Sequence, residues 1–288
     1  MANHNPELGR FLRTRRARVE PSAAGLAVTG QRRVPGLRRD ELARLAGVSV
    51  DYYARLEQGR HFAASPSVLR SLARVLRLDR DEREYLCAIN SRDADVFYPM
   101  TAGESVRAGI HRTLTLLGHT PAVVVGPYGD VFTANEAAGF LLGDFAVASL
   151  PRGNIVRWML TAPQARLLYG EGWEDAAMQT VAALRFYSSR VPAGPRLADV
   201  VQQLSNASGL FVRLWERHDV SRGLSGPTSL YHPELGVIVV ENDVMTVGSS
   251  PAYRFCVMAP VDGARFRSAF RNHRADSLHG QSGISVVP

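Results

Sequence analysis

Apolar positions recur at helical spacing through the first ninety residues of the chain. Leu8, Phe11 and Leu12 fall on one side of a helix predicted over residues 7–19. Leu37, Leu42 and Leu45 put a stripe on a helix over 38–46, with Asp40 and Glu41 in its first turn and Gly47 as its stop. Ser49 suits the N-cap of a third helix running to about residue 58, because its hydroxyl takes an orphaned backbone N–H, and Gly59 stands just past the end. Ser49, Tyr53 and Leu56 share one side of that helix. Ser65, Pro66 and Ser67 open a fourth, on which Val68, Leu69, Leu72, Val75 and Leu76 repeat at helical spacing. Asp79 and Asp81 cap a fifth over 81–90, carrying Tyr85, Leu86 and Ile89. The pattern predicts an all-α, five-helix head over residues 1–90, with a loop over 20–35. The apolar period then fails over 91–103, which reads as a linker.

Past the linker the period changes. A helix over 105–117 buries Val106, Ile110, Leu114 and Leu117, and two short strands over 122–125 and 130–134 flank the turn GPYGD. Helical segments follow over 135–142, 156–169, 173–188, 197–205 and 209–218. Strands return over 228–232, 236–241, 244–247 and 253–258, broken by HPELG and END. This order predicts an α+β domain over 104–261, an antiparallel sheet packed against helices on one face. Residues 262–288, poor in apolar positions before ISVVP, read as a mobile tail.

Length and charge sharpen this division. A chain of 288 residues that is 45% hydrophobic is long enough for two cores. Residues 1–90 hold 17 Arg against 10 Asp and Glu, whereas residues 91–288 hold 17 of each, so the whole formal surplus of +7 lies in the head. That is the footprint of a polyanion-binding module beside a neutral one. All 34 basic residues are Arg, which closes the enzyme classes that need a Walker-A, Schiff-base or kinase-type lysine. Cys87 and Cys256 form no C-x-x-C pattern, which suits a reduced, cytoplasmic setting. Charges interrupt the first twenty residues where a signal peptide needs an apolar run, and no stretch reaches the ~20 apolar residues of a membrane span. No G-x-S-x-G, G-x-G-x-x-G or H-E-x-x-H arrangement occurs, and His218 beside Asp219 and His232 before Pro233 lack the nearby partners of a metal site. The chain is therefore read as a non-enzyme without cofactor or metal.

The third helix carries the chemistry. Its outer edge, Ser49, Val50, Asp51, Tyr52 and Arg55, need not be buried and suits a major groove. Arg55 can reach guanine O6 and N7 together, Asp51 can accept from a cytosine amine, Val50 can touch a thymine methyl, and Tyr52 can reach base or phosphate. Arg32, Arg33, Arg38, Arg39 and Arg60 are candidates for backbone contacts that hold register. One short head reads few base pairs, so a homodimer with two such helices ~34 Å apart on palindromic double-stranded operator DNA is expected.

The run GLRRDELARLAGVSVDYYARLEQGR, ending in the signature Leu56, Glu57, Gln58, Gly59, resembles the helix-turn-helix of Cro/repressor-type (XRE-family) regulators. More narrowly, it is similar to the MmyB-like regulators, and the segments TPAVVVGPYGDVFTANEAA, LSNASGLFVRLWERHDV and TSLYHPELGVIVV extend the likeness over most of residues 5–260. The resemblance implies that Arg16 pairs with Glu57. It also implies that the second domain is PAS-like, with a pocket for a small apolar or fatty-acid-like ligand between sheet and helices. Phe132, Phe140, Trp158, Leu184 and Trp215 are the candidate apolar walls, and Asn135, Arg157 and His218 the candidate polar anchors. Two other readings remain at this point: a second domain that is a small-molecule enzyme behind an autoregulatory head, or a head that is an antitoxin-like protein-interaction module.

Overall fold

The computed structural model describes residues 4–26, 34–60, 63–91, 104–143, 153–191, 194–247 and 250–281. The chain divides into two units, one of Met1–Val96 with Leu214–Ser221 and the other of Phe97–Arg213 with Arg222–Pro288.

The first unit is built on five α-helices, as the apolar spacing predicts: α1 (Pro6–Arg18), α2 (Arg39–Ala46), α3 (Val50–Glu57), α4 (Pro66–Val75) and α5 (Arg80–Asn90). Local chemistry sets each boundary. The Asn5 side chain accepts from Leu8 N at 3.1 Å, Ser49 Oγ from Tyr52 N at 3.1 Å, and Asp79 from Glu82 N at 2.8 Å, so three helix starts satisfy a backbone donor that would otherwise be orphaned. Gly47, at φ 70°, ends α2 in the left-handed region that a side chain resists. Leu8, Phe11 and Leu12 of α1, Leu42 of α2, Tyr53 and Leu56 of α3, and Tyr85 and Ile89 of α5 meet in one core. Helices α1 and α3 approach so closely that a Cβ on Gly9 would lie 2.5 Å from the Glu57 carbonyl oxygen.

Glu57 is the polar centre of this unit. It is 1% exposed. Arg16 of α1 donates to it through Nε and Nη2 at 2.8 and 2.9 Å, and Arg39 of α2 donates through Nε at 3.0 Å. The Arg16 pairing implied by the family likeness is therefore present, with Arg39 and, at 3.6 Å, Arg13 added to it. Residues Leu214–Ser221 belong to the same unit, where Asp219 pairs with Arg18 at 2.8 Å and the buried Arg15 lies 2.8 Å from Glu82 and donates to the His218 carbonyl at 2.7 Å.

The second unit contains α6 (Glu104–Leu117), β1 (Ala122–Val125), β2 (Val131–Ala134), α7 (Glu136–Leu142), α8 (Ile155–Thr161), α9 (Pro163–Tyr169), α10 (Trp173–Ser188), α11 (Pro195–Ala207) and most of α12 (Gly209–Glu216). These are followed by β3 (Gly226–His232), β4 (Gly236–Val247), β5 (Ser250–Pro260) and α13 (Gly263–Gln281). The five strands form one antiparallel sheet in the order β2-β1-β5-β4-β3.

Four expectations change. Helices cover both faces of the sheet at its centre: Ala122, Val124 and Val257 pack against Ile110 and Leu114 of α6, while Val123 and Val125 face α8 and α10. The run AVVV is buried at every position, as a strand covered on both sides must be. The expected helix over 156–169 is two helices, because Pro163 cannot donate a helical hydrogen bond. END does not break β4, since the Asn242 side chain donates to the Gly226 carbonyl and Thr228 hydroxyl at 3.0 and 2.8 Å and so ties the strand to β3. The tail expected to be mobile is helical over Gly263–Gln281, anchored by Phe266 and Phe270, four residues apart and both buried. Residues 92–103 of the expected linker and 282–288 of the expected tail lie outside the described residues.

Burial pushes the Glu57 carboxyl up, but the hydrogen bonds and charge of Arg16 and the hydrogen bond from Arg39 outweigh it and hold the group below the ordinary carboxylate value. A depressed folded value contributes stability that is present above the unfolded pKa and lost as pH falls through the folded one. Glu57→Ala should therefore destabilise the first unit by about 3 to 5 kcal/mol near neutral pH, by leaving Arg16 buried without its partner. Urea unfolding followed by circular dichroism checks this, and the gap between wild type and variant should narrow as pH drops below about 4.

Candidate functional site

Helix α3 is amphipathic across its short length. Tyr53, Leu56 and Glu57 are buried, whereas Ser49, Val50, Asp51 and Arg55 are exposed and Tyr52 is half-buried. Val50 is 49% exposed, a large aliphatic group left in solvent at the start of a capped helix. Arg55 Nη2 sits 3.1 Å from Asp51 Oδ2, one turn away. An exposed i,i+4 pair of this kind is worth about 0.3 to 0.5 kcal/mol, so a base edge competes for the guanidinium at little cost. Burial pushes the Tyr52 phenol up, which keeps its hydroxyl a donor at neutral pH.

The flanking arginines divide. Arg38 and Arg60 are exposed on either side of the α2–α3 pair, and Arg38 gives its backbone N–H to Glu41 at 2.7 Å. Arg39 spends its guanidinium on Glu57, with Nη2 2.9 Å from Oε1. Arg32 and Arg33 lie outside the described residues.

The residues expected to line a ligand pocket are not gathered at one cavity. Phe132 packs edge-on to Tyr253 at 5.6 Å in the α6 core, and Phe140 packs against the rings of His232 and Phe266 at 4.6 and 5.4 Å. Trp158 and Leu184 are buried, Arg157 is exposed, and Trp215 and His218 belong to the first unit. Asn135 holds three backbone groups: it accepts from Ala122 N and Ala138 N, both at 3.0 Å, and donates to the Thr120 carbonyl at 2.7 Å. It also borders a polar recess of about 330 Å³ beside His111 and Arg274.

The apolar cavity of the second unit lies elsewhere. It has a volume of about 80 Å³ and is walled by Val123 and Val125 of β1, Met159 of α8, Thr180 and Ala183 of α10, and Arg254 and Cys256 of β5. Arg254 pairs in register with Val125, and Cys256 with Val123, so strand alternation puts all four on one face. Burial pushes the Cys256 thiol up, which leaves it a protonated, inert wall. The sequence carried one signal for this site: in YRFCVM an arginine occupies an inward position of an otherwise apolar strand.

Among the described residues, no group of three or more His, Cys, Asp and Glu is placed to hold a metal, and no helix is long and apolar enough to cross a membrane. Residues 106–271 match the family described as the MmyB-like transcription regulator ligand binding domain, and residues 7–86 match one described as a helix-turn-helix domain. A comparison with curated proteins finds no match.

Asn135 acts in this geometry as a clamp between β1 and α7. Asn135→Ala should lower stability by about 1 to 3 kcal/mol, because three backbone groups lose their partner. Thermal melts of the full-length protein check it.

Proposed function

The chain belongs to the MmyB-like transcription regulators, and from that premise we propose that it is a cytoplasmic, ligand-responsive regulator that binds palindromic operator DNA as a homodimer. The observation that carries this reading is the exposed edge of α3, Val50, Asp51 and Arg55, on a helix whose other side is locked by Tyr53, Leu56 and Glu57. The matched families, those of transcription regulators, support it. In this reading Arg55 reads guanine, Asp51 a cytosine amine and Val50 a thymine methyl, with Tyr52 reaching base or phosphate. Arg38 and Arg60, with Arg32 and Arg33, contact phosphate without reading sequence. Arg39, expected beside them, is reassigned to holding Glu57.

The second domain senses a small apolar or fatty-acid-like molecule. Such an effector changes operator occupancy only by binding one arrangement of the dimer more tightly than the other.

Arg55→Ala should weaken binding to the selected operator by about 10- to 100-fold, the value of one bidentate base contact. Binding to random duplex should change far less. Gel-shift titration on both duplexes decides, and equal losses would remove Arg55 from base reading. Affinity for both should fall with rising salt, since each neutralised phosphate releases counterions.

A further inference from the structure

The proposed function admits two kinds of effector, a neutral apolar molecule and an amphipathic acid. The cavity beside β1 and β5 discriminates between them. Arg254 is 3% exposed and lines that cavity. Its guanidinium donates to the Gly126 carbonyl at 3.3 Å and stacks 4.3 Å from the centre of the Tyr187 ring. No carboxylate among the described residues pairs with it. The one acidic residue in the lining, Asp243, is exposed and does not bond to it. Arg222, from the segment after α12, lines the same cavity, with its guanidinium 5.2 Å from the Phe186 ring. The Tyr187 hydroxyl beside this pair is buried and has no hydrogen-bond partner.

A guanidinium cannot shed its charge as a buried lysine or histidine does. Held among Val123, Val125, Met159 and Val244 without an anion, it carries an uncompensated desolvation cost. An alkane or alcohol in the cavity would add to that cost by displacing water. A carboxylate would offset it, because its two oxygens match the guanidinium fork.

We propose that this cavity binds a small organic carboxylate, its head group on Arg254 with Arg222 adding charge and its apolar tail along β1 and α8. A volume of about 80 Å³ sets the tail. It admits a ligand on the order of ten non-hydrogen atoms, a short-chain acid rather than a long one. The inference rests on the second domain being the effector site, and the test separates the two claims.

Isothermal titration of the full-length protein with hexanoate, 1-hexanol and hexyl phosphate gives the comparison. Hexanoate should bind about 10- to 100-fold more tightly than hexanol, the range for hydrogen bonds to a charged group. Arg254→Met should remove that advantage and leave hexanol binding unchanged. Should Arg254→Met fail to fold, as read by thermal melting, Arg222→Gln carries the test, with an expected loss of roughly threefold to tenfold for hexanoate alone. Equal binding of acid and alcohol, or variants that bind hexanoate as wild type does, overturns the carboxylate assignment while sparing the effector site. Tighter binding of hexyl phosphate also overturns it, in favour of a phosphate monoester. If none of the three binds, the cavity is not an effector site and the inference falls with it.

Discussion

A single buried carboxylate, Glu57, holds the DNA-binding geometry together. It sits at the last position of α3 and receives guanidinium groups from α1 and α2, so one side chain fixes three helices at once. Arg16 extends the clamp by donating to the Leu37 carbonyl at 2.7 Å, which pins the chain leading into α2. Burying an ion pair is rarely a large net gain in stability, because desolvation consumes much of the attraction. What the arrangement supplies is register. A hydrophobic contact among Leu42, Tyr53 and Leu56 tolerates rotation of α3 about its axis, whereas a two-pronged hydrogen bond to Glu57 does not, and the rotation of α3 decides which side chains face outward.

Buried arginines occur in both units, under opposite conditions. In the first, Arg15 has Glu82 and Asp219 near it and the His218 carbonyl as acceptor. Burial lowers its pKa most, with Glu82 acting in the other direction. In the second, Arg254 has a carbonyl and an aromatic face but no carboxylate. The first arrangement is complete as it stands. The second has an electrostatic demand that the protein itself does not meet, beside a void that can admit something that does.

The head was far more legible in the sequence than the second domain, for a physical reason. Its determinants are local: Ser49 and Asp79 cap helices that begin at the next residue, Gly47 stops one, and Leu-Glu-x-Gly marks a helix end. In the second domain the decisive contacts are distant. The cavity joins β1 near residue 123, α8 near 159, α10 near 180 and β5 near 254, and no window of sequence contains that juxtaposition. Phe132, Phe140, Trp158 and Leu184 have the composition of a pocket wall, yet Phe132 and Phe140 are spent on aromatic packing. Composition reports that a residue is apolar but not which neighbour it meets. The helix over Gly263–Gln281 escaped notice because only Phe266 and Phe270 mark its inner side, too sparse a stripe to stand out from a polar tail.

The pairing of Asp51 with Arg55 makes the reading edge of α3 close to electroneutral, while the unneutralised cations, Arg38 and Arg60, stand beside it. Attraction from beyond a Debye length of about 8 Å is therefore felt by the flanks and hardly by the edge. Such a surface slides along any duplex on its outriggers, and commits its central arginine only where the partner offered by a base is better than the one it already has.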